Sequence, residues 1–330
     1  MQKVVRYCLN AAMVAVVMLL GACNGGSGSD AASTGMASFA VTDAPVDGVG
    51  RVKLTFNRLE LKPAGGEKIQ IDLDPAVTIE NLLQLTGNAA TSVLNATTFP
   101  AGDYNYVRLY VQGGSPASEV EEDTGGVFDL LLPGQQAGAD NRFLQLVSGF
   151  TIPAGGQADF TIDIDLRKAL TKPAGKSHYL LRPALRLVNN IEVGTISGTV
   201  DSGLLQDVSC THDAAADEGV TVYLYNDGSE PLGDVNVNEN GEGDHATDDT
   251  DGVVGEVNPI TTAGVRQNTN SGVYEYTLGF VQAGNYRVAL SCQSLSDMPD
   301  TDEALGFLQQ ANVTVIASQT AVLNFVATGP

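Results

Sequence analysis

Pro100 to Val111 reads PAGDYNYVRLYV, and Gln282 to Leu290 reads QAGNYRVAL. Both stretches write Ala-Gly-Asx-Tyr and then alternate. Glycine reaches a positive φ at no steric cost, and Asp or Asn tolerates the neighbouring left-handed region. Past the turn, Tyr104, Tyr106, Arg108 and Tyr110 fall on one side of a period-two pattern, with Val107, Leu109 and Val111 on the other. In the second copy Tyr286, Val288 and Leu290 share a face. A period of two marks a strand. Each copy therefore predicts a tight turn feeding a strand, in two separate β units.

The same grammar surrounds the first copy. MASFAVT, RVKLTFNRLELK, KIQIDLD, VFDLLLPG, FLQLVSGFTIPAG, QADFTIDIDLR and HYLLRPALRLV are short runs punctuated by turn residues. In RVKLTFNRLELK the apolar phase slips after Phe56, which predicts a β-bulge near Asn57. TIENLLQL leaves period two and reads as a short helical or looped crossing that buries Leu82, Leu83 and Leu85. Many short strands without a long helical pattern predict a β-sandwich over residues 35–190. VGTISGTV, GVTVYLYNDG, GVYEYTLGFVQAGNYRVALSC and ANVTVIASQTAVLNFVAT predict a second one over 191–330. The expected fold class is all-β, two β-sandwich domains.

Composition agrees. The 330 residues exceed one ordinary domain, and 43% hydrophobic content supports packed cores. With 17 Lys and Arg against 39 Asp and Glu, the net charge is −22, which argues against nucleic acid as a partner. Residues 24–190 carry a net of −5 and residues 191–330 a net of −19, so the charge changes where the domain boundary is expected.

The N-terminus reads as an address. Lys3 and Arg6 precede an apolar run from Ala11 to Leu20, too short to span a bilayer but suited to a signal peptide over 1–22. Leu20-Gly21-Ala22-Cys23 resembles the lipobox of bacterial lipoproteins. That resemblance implies lipidation of Cys23, cleavage before it and a membrane-anchored, exported protein, with residues 23–34 as a Gly/Ser-rich tether. The outer membrane is the expected location. In an oxidising compartment Cys210 and Cys292 predict a disulfide, since two isolated cysteines cannot fill a zinc site.

GMASFAVTDAPVDGVGRVKLTFNRLEL, NLLQL, FPAGDYNYVRLYV, FTIPAGGQADFTIDIDL and YLLRPALRLV, in that order, resemble a bacterial export-associated domain family of unknown function, numbered 4382. The resemblance covers about residues 35–190 and implies fold and export without implying a reaction. The second half resembles the transthyretin-like, carboxypeptidase-regulatory-type sandwich, which falls among the carbohydrate-binding-like folds.

Three groups of residues are candidates for chemistry. Asp163 and Asp165 share one face of a strand, where two carboxylates repel unless a cation intervenes. Ion pairing with Arg108 is the expected arrangement, beside a cation site or a glycosidase-like acid and base. Between Glu230 and Asn270 lies a long acidic loop with few apolar anchors. There Asp234, Asn236, Asn238 and Asn240 alternate before Gly241, resembling the first half of a calcium loop, although no glutamate closes it. Calcium and a solvated acidic loop are both open readings, and His245 among Asp244, Asp248, Asp249 and Asp251 adds a transition-metal reading. Finally, Tyr104, Tyr106, Tyr110, Tyr274 and Tyr276 on sheet faces suit stacking on sugar rings, or simply pairing across strands. No Gly-x-Ser-x-Gly, His-Glu-x-x-His, phosphate loop or haem-attachment motif occurs. The expectation is a non-enzymatic envelope lipoprotein binding a glycan or protein ligand, with a purely structural envelope role as the alternative.

Overall fold

Alternation of buried and exposed residues sets the strands. The computed structural model describes residues 33–44, 46–238, 240–243 and 250–327. The lipobox at Cys23 and the cluster around His245 lie outside the described residues. No helix among the described residues is long and apolar enough to cross a membrane.

The first sandwich is built from thirteen strands: β1 (Thr34–Ala44), β2 (Val49–Pro63), β3 (Ile69–Ile79), β4 (Thr91–Pro100), β5 (Gly102–Val111), β6 (Glu119–Glu122), β7 (Val127–Leu131), β8 (Arg142–Leu146), β9 (Phe150–Ile152), β10 (Gln157–Asp165), β11 (Leu170–Thr171), β12 (His178–Leu181) and β13 (Leu185–Asn189). One sheet runs β13-β10-β1-β4, with β1 and β10 parallel. The other runs β11-β12-β7-β6-β2-β5-β8, with β3 also on β2 and β9 also on β5. Their inner faces close over one continuous core that includes Phe39, Leu59, Leu109, Phe160 and Ile162. Each such side chain contributes about 1.5–3 kcal/mol through burial. The bulge sits where the phase slip predicts it: register on β2 shifts between Phe56 and Arg58 against both neighbours, leaving Asn57 unpaired. The NLLQL crossing is a single 3-10 turn capped by the Asn81 side chain, with Leu82 fully buried and Leu83 and Leu85 packed partly against the core.

The second sandwich uses β14 (Val193–Val200), β15 (Thr221–Asn226), β16 (Thr261–Gly264), β17 (Arg266–Gln267), β18 (Tyr274–Gln282), β19 (Gly284–Ser291), β20 (Gln309–Val315) and β21 (Thr320–Val322). Its sheets run β17-β18-β14-β21 and β16-β15-β19-β20. Ile196, Val222, Leu224, Leu278, Val288 and Leu290 fill the space between them. The predicted disulfide is present, Cys210 to Cys292 with S–S 2.08 Å, pinning the chain before β15 to the end of β19.

Strand β15 shows no alternation, because both of its faces are covered. Val222 and Leu224 face the main core, whereas Tyr223 and Tyr225 join Leu232, Val235 and Ala289 in a separate cluster. Leu232, Val235 and Val237 belong to the segment expected to be poorly anchored. That expectation is corrected: Leu232 and Val235 pin the start of the acidic loop to the outer face of the sheet, and Val237 is buried as well. Residues 33–330 form one compact unit.

Candidate functional site

The two AG-Asx-Y copies share a lock that alternation alone does not reveal. Tyr104 donates its hydroxyl to the Pro100 carbonyl (2.7 Å), and Tyr286 donates to Gln282 (2.9 Å), four residues back in both cases. Each ring is buried and ties the strand to its own turn. Gly102 takes the expected positive φ of 128°, whereas Gly284 is not among the positive-φ glycines. The shared element is the tyrosine, not the glycine conformation.

Tyr104 therefore does not share the outward face of Tyr106 and Tyr110. A register shift between Lys62 and Pro63 opposite β5 separates them. Tyr276 is buried too, donating to the Leu323 carbonyl at 2.7 Å. Of the five tyrosines considered for stacking, only Tyr106, Tyr110 and Tyr274 are half-exposed.

Arg108 is an ion-pairing residue with a different partner from the one expected. Cross-strand register places it opposite Glu60 on β2 and Gln145 on β8, and it bonds both: Nη1 to Glu60 Oε1 at 2.8 Å, Nε to Gln145 Oε1 at 2.5 Å. Asp163 and Asp165 lie on β10, in the other sheet. Glu60 is fully buried beneath this face and also accepts from Lys68, Gln70, Tyr106 and Tyr110. Burial pushes its carboxyl up, but the bonds from Lys68, Gln70 and Tyr106 outweigh burial and bring it down to about 2.

Asp163 and Asp165 stand instead at the seam between the sandwiches. Asp163 pairs with Arg186, its cross-strand neighbour on β13, at 2.6 Å. Asp165 caps a one-turn helix, α1 (Leu166–Ala169), by accepting from the Lys168 amide, and its carboxylate lies 3.9 Å from the Lys168 ammonium. This turn buries Leu166 in the first core and turns Arg167 and Lys168 into the second sandwich. Arg167 binds Asp47 (2.6 Å) and the Ser294 carbonyl (3.1 Å). Asp47 also holds Arg266 at 3.2 Å. Lys168 donates to the carbonyls of Pro259 and Ile260. Arg182 reaches Val237 and Pro299, and Arg186 reaches Gly279 and Phe280, again through carbonyls. Four cations of the first sandwich thus terminate on backbone oxygens of the second, the more acidic one.

Backbone geometry brings those oxygens close. Phe280 has φ of 50°, a left-handed conformation that non-glycine residues adopt at a cost and that surrounding contacts must enforce. A Cβ on Gly279 would stand 1.8 Å from the Gly87 carbonyl oxygen, so only glycine permits this approach. Four carboxylates crowd the seam: Asp43, Asp47, Asp163 and Asp165. Burial, with Asp163 and Asp165 adding repulsion, lifts the Asp43 carboxyl well above the ordinary range. Burial also pushes Asp165 up to about 6 against the pull of Lys168, and it lowers the Lys168 ammonium. Asp47 goes the other way: burial raises it, but Arg167 and Arg266 hold it below the usual value.

Beside the seam lies a cleft of about 720 Å³ with walls from both sandwiches. Leu83, Thr86 and Asn88 line one side, and Gln267, Asn268 and Thr277 the other. Its charged groups are already matched: Arg266 to Asp47, Glu275 to the Asn268 amide (3.2 Å), and Glu218 to the Gly48 amide (3.0 Å). What remains for a ligand is mostly amide and hydroxyl chemistry beside apolar side chains such as Val46 and Leu83.

The alternating set 234–240 does not form one ring of ligands. Asp234 is buried and accepts from the amides of Asn236 (2.9 Å) and Glu303 (2.6 Å). The Asn238 side-chain oxygen accepts from the Asn240 and Glu242 amides, closing a turn. One carboxylate oxygen each of Asp234, Asp297 and Glu303 lies within 4.8 Å of the others, and burial raises Asp234 and Asp297. Sequence spacing identified Asp234 but not its neighbours, which come from a segment some 60 residues later.

No curated protein matches this sequence. Among solved structures, the Bacillus anthracis TIE protein is 9% identical over 88% of this chain, with a TM-score of 0.18, and the chain spans 34% of its length. GBS52, the minor pilin of Streptococcus agalactiae, is 12% identical, covering 89% of this chain and 98% of that one, with a TM-score of 0.17. A fimbrial protein from Bacteroides ovatus is 10% identical, covering 89% and 49%, with a TM-score of 0.17. Scores this low carry no argument about arrangement or activity. Residues 34–183, almost the whole of the first sandwich, match the family described as Domain of unknown function (DUF4382).

Proposed function

We propose that this chain is an exported, lipid-anchored protein of the cell envelope, most simply the outer membrane, and that its two sandwiches act as one non-enzymatic module that receives a glycan or protein ligand in the cleft between them. The observation that carries the binding reading is the cleft itself. Its volume falls in the range of about 300–1,000 Å³ common for ligand sites, and such sites favour domain interfaces. Hydrogen bonds from Arg167 and Arg186 to carbonyls of the second sandwich, with the Arg266–Asp47 pair, hold both walls together at the adjoining seam, so little ordering cost opposes binding. The matched charges around it suit neutral polar groups. The anchor rests on the lipobox sequence ending at Cys23.

In this reading the module needs no cofactor. Calcium, if it enters, would gather at Asp234, Asp297 and Glu303. A comparison of melting temperature in calcium chloride and in sodium chloride of equal ionic strength separates such a site from screening.

Two experiments test the proposal. Cys23→Ser should release the exported protein from membranes, and retention through detergent-free washing would refute the anchor. The Ser33–Pro330 unit, which holds every strand and core cluster among the described residues, should bind members of a glycan or envelope-protein panel. Leu83→Trp, which fills the cleft, should abolish that binding with the fold intact. Binding undisturbed by Leu83→Trp would remove the cleft from the proposal. A purely structural role is the second reading, favoured by the fixed seam, and a blank panel would support it.

A further inference from the structure

The outward face of β2, β5 and β8 carries a continuous stack of cations and rings that the cleft does not use. The Arg108 guanidinium lies 4.3 Å from the Tyr106 ring centroid and 4.2 Å from that of Phe143. Phe143 lies 5.1 Å from Tyr110, and Arg58 sits 5.3 Å from Tyr110 on the far side. The order is therefore Tyr106, Arg108, Phe143, Tyr110, Arg58, across three neighbouring strands. Pairing register makes it so: Lys62 stands beside Tyr106, Arg58 beside Tyr110, and Tyr110 beside Phe143.

Charge on this face runs against the rest of the molecule. Arg58, Lys62, Lys68 and Arg108 contribute four cations, whereas Glu60 and Asp72 contribute two carboxylates, in a chain of net charge −22. Glu60 is buried under the ladder, so three of its four cations have no exposed carboxylate partner; Lys68 is 49% exposed, and Arg58, 38% exposed, shares the edge with Asp72, 74% exposed. Lys62 donates to a backbone carbonyl, that of Gly66. Arginine beside half-exposed aromatic rings is the residue mix that dominates binding surfaces, and planar guanidinium groups accept carboxylates in bidentate fashion.

We propose that this ladder docks an acidic polysaccharide, with its carboxylates on Arg58 and Lys62 and its sugar faces against Tyr110 and Phe143. The rings and the flanking amides of Gln70 and Gln145 favour a sugar chain over an acidic peptide, which would use only the charges. The site is independent of the cleft.

Binding of the Ser33–Pro330 unit to polygalacturonate, with dextran and poly-glutamate as comparators, tests the proposal. Polygalacturonate should bind and weaken with added salt. Arg58→Glu with Lys62→Glu should reduce its affinity at least about tenfold, close to 1.4 kcal/mol, with an unchanged melting temperature. Leu83→Trp in the cleft should leave it untouched. Should the double variant fail to fold, Tyr110→Ser replaces it, with the same loss expected. Equal binding of dextran would overturn the role of charge, and equal binding of poly-glutamate would reduce the face to a general anion sink. Unchanged affinity in the folded variants would place the polysaccharide elsewhere.

Discussion

The seam and the ladder use the same chemistry, arginines on carboxylates, at opposite depths. At the seam the Arg167 and Asp47 side chains are 2% and 7% exposed; on the ladder Arg58 and Asp72 are 38% and 74% exposed. Burial makes the seam dependent on complete pairing, because an unpaired charge there has no water to turn to. On the ladder water replaces a lost partner at little cost, so the same pair contributes little to stability and is available for recognition. Depth, more than residue type, decides whether an ion pair holds a fold together or offers it to a partner.

The largest effect that would break this contrast comes from Arg167→Ala. It takes from Asp47 its buried partner, leaving only the more exposed Arg266, and removes a donor from the Ser294 carbonyl, and we expect a loss of about 3–5 kcal/mol in urea unfolding. A loss under about 1 kcal/mol would mean that water enters the seam and the contrast is false. Gly279→Ala probes the same seam through the backbone. Its methyl group meets the Gly87 carbonyl, and the sandwiches must separate locally at a cost of about 1–3 kcal/mol. Small-angle scattering and thermal melting would both register it.

Asp43→Asn sharpens the comparison with pH. The Asp43 carboxyl is raised in the folded state, so its contribution is intact below the ordinary carboxylate range and is lost as pH rises toward its folded value. The variant should therefore match the wild type near pH 3–4 and exceed it in melting temperature at neutral pH. Parallel melting curves at all pH values would show that Asp43 is not ionising inside the seam. The smallest change belongs to the ladder: Arg58→Ala should alter unfolding free energy by about 0.2–1 kcal/mol, an amount that high salt erases.

Strands, bulge, crossing and disulfide were legible in the sequence because each depends on local pattern or on a pair of like residues. Phase slip located the Asn57 bulge, and oxidising context paired Cys210 with Cys292. Partners across sheets were not legible. Arg108 and the DIDL carboxylates looked complementary, but register gave Arg108 to Glu60 and Asp163 to Arg186. Alternation within single runs did not single out Glu60 or Arg186, because it cannot say which runs become neighbours. The seam had a compositional trace, six cations between 167 and 186 just before an acidic half, which reads equally well as ordinary surface charge. The acidic loop was misjudged because Leu232 and Val235 are sparse in sequence and converge only on the outer face of β15.

Strand β1 has a mechanical consequence. It lies inside its sheet, in parallel register with β10 from Met36 to Ala44 and antiparallel to β4 on its other edge. Tension applied at Thr34 along the strand loads those hydrogen bonds in shear, all together, and does not peel them off one by one. Just beyond the strand come Val46, on the wall of the cleft, and Asp47, under Arg167. A pull on the N-terminal end is therefore delivered by a taut, doubly supported cable to the place where the two sandwiches are joined.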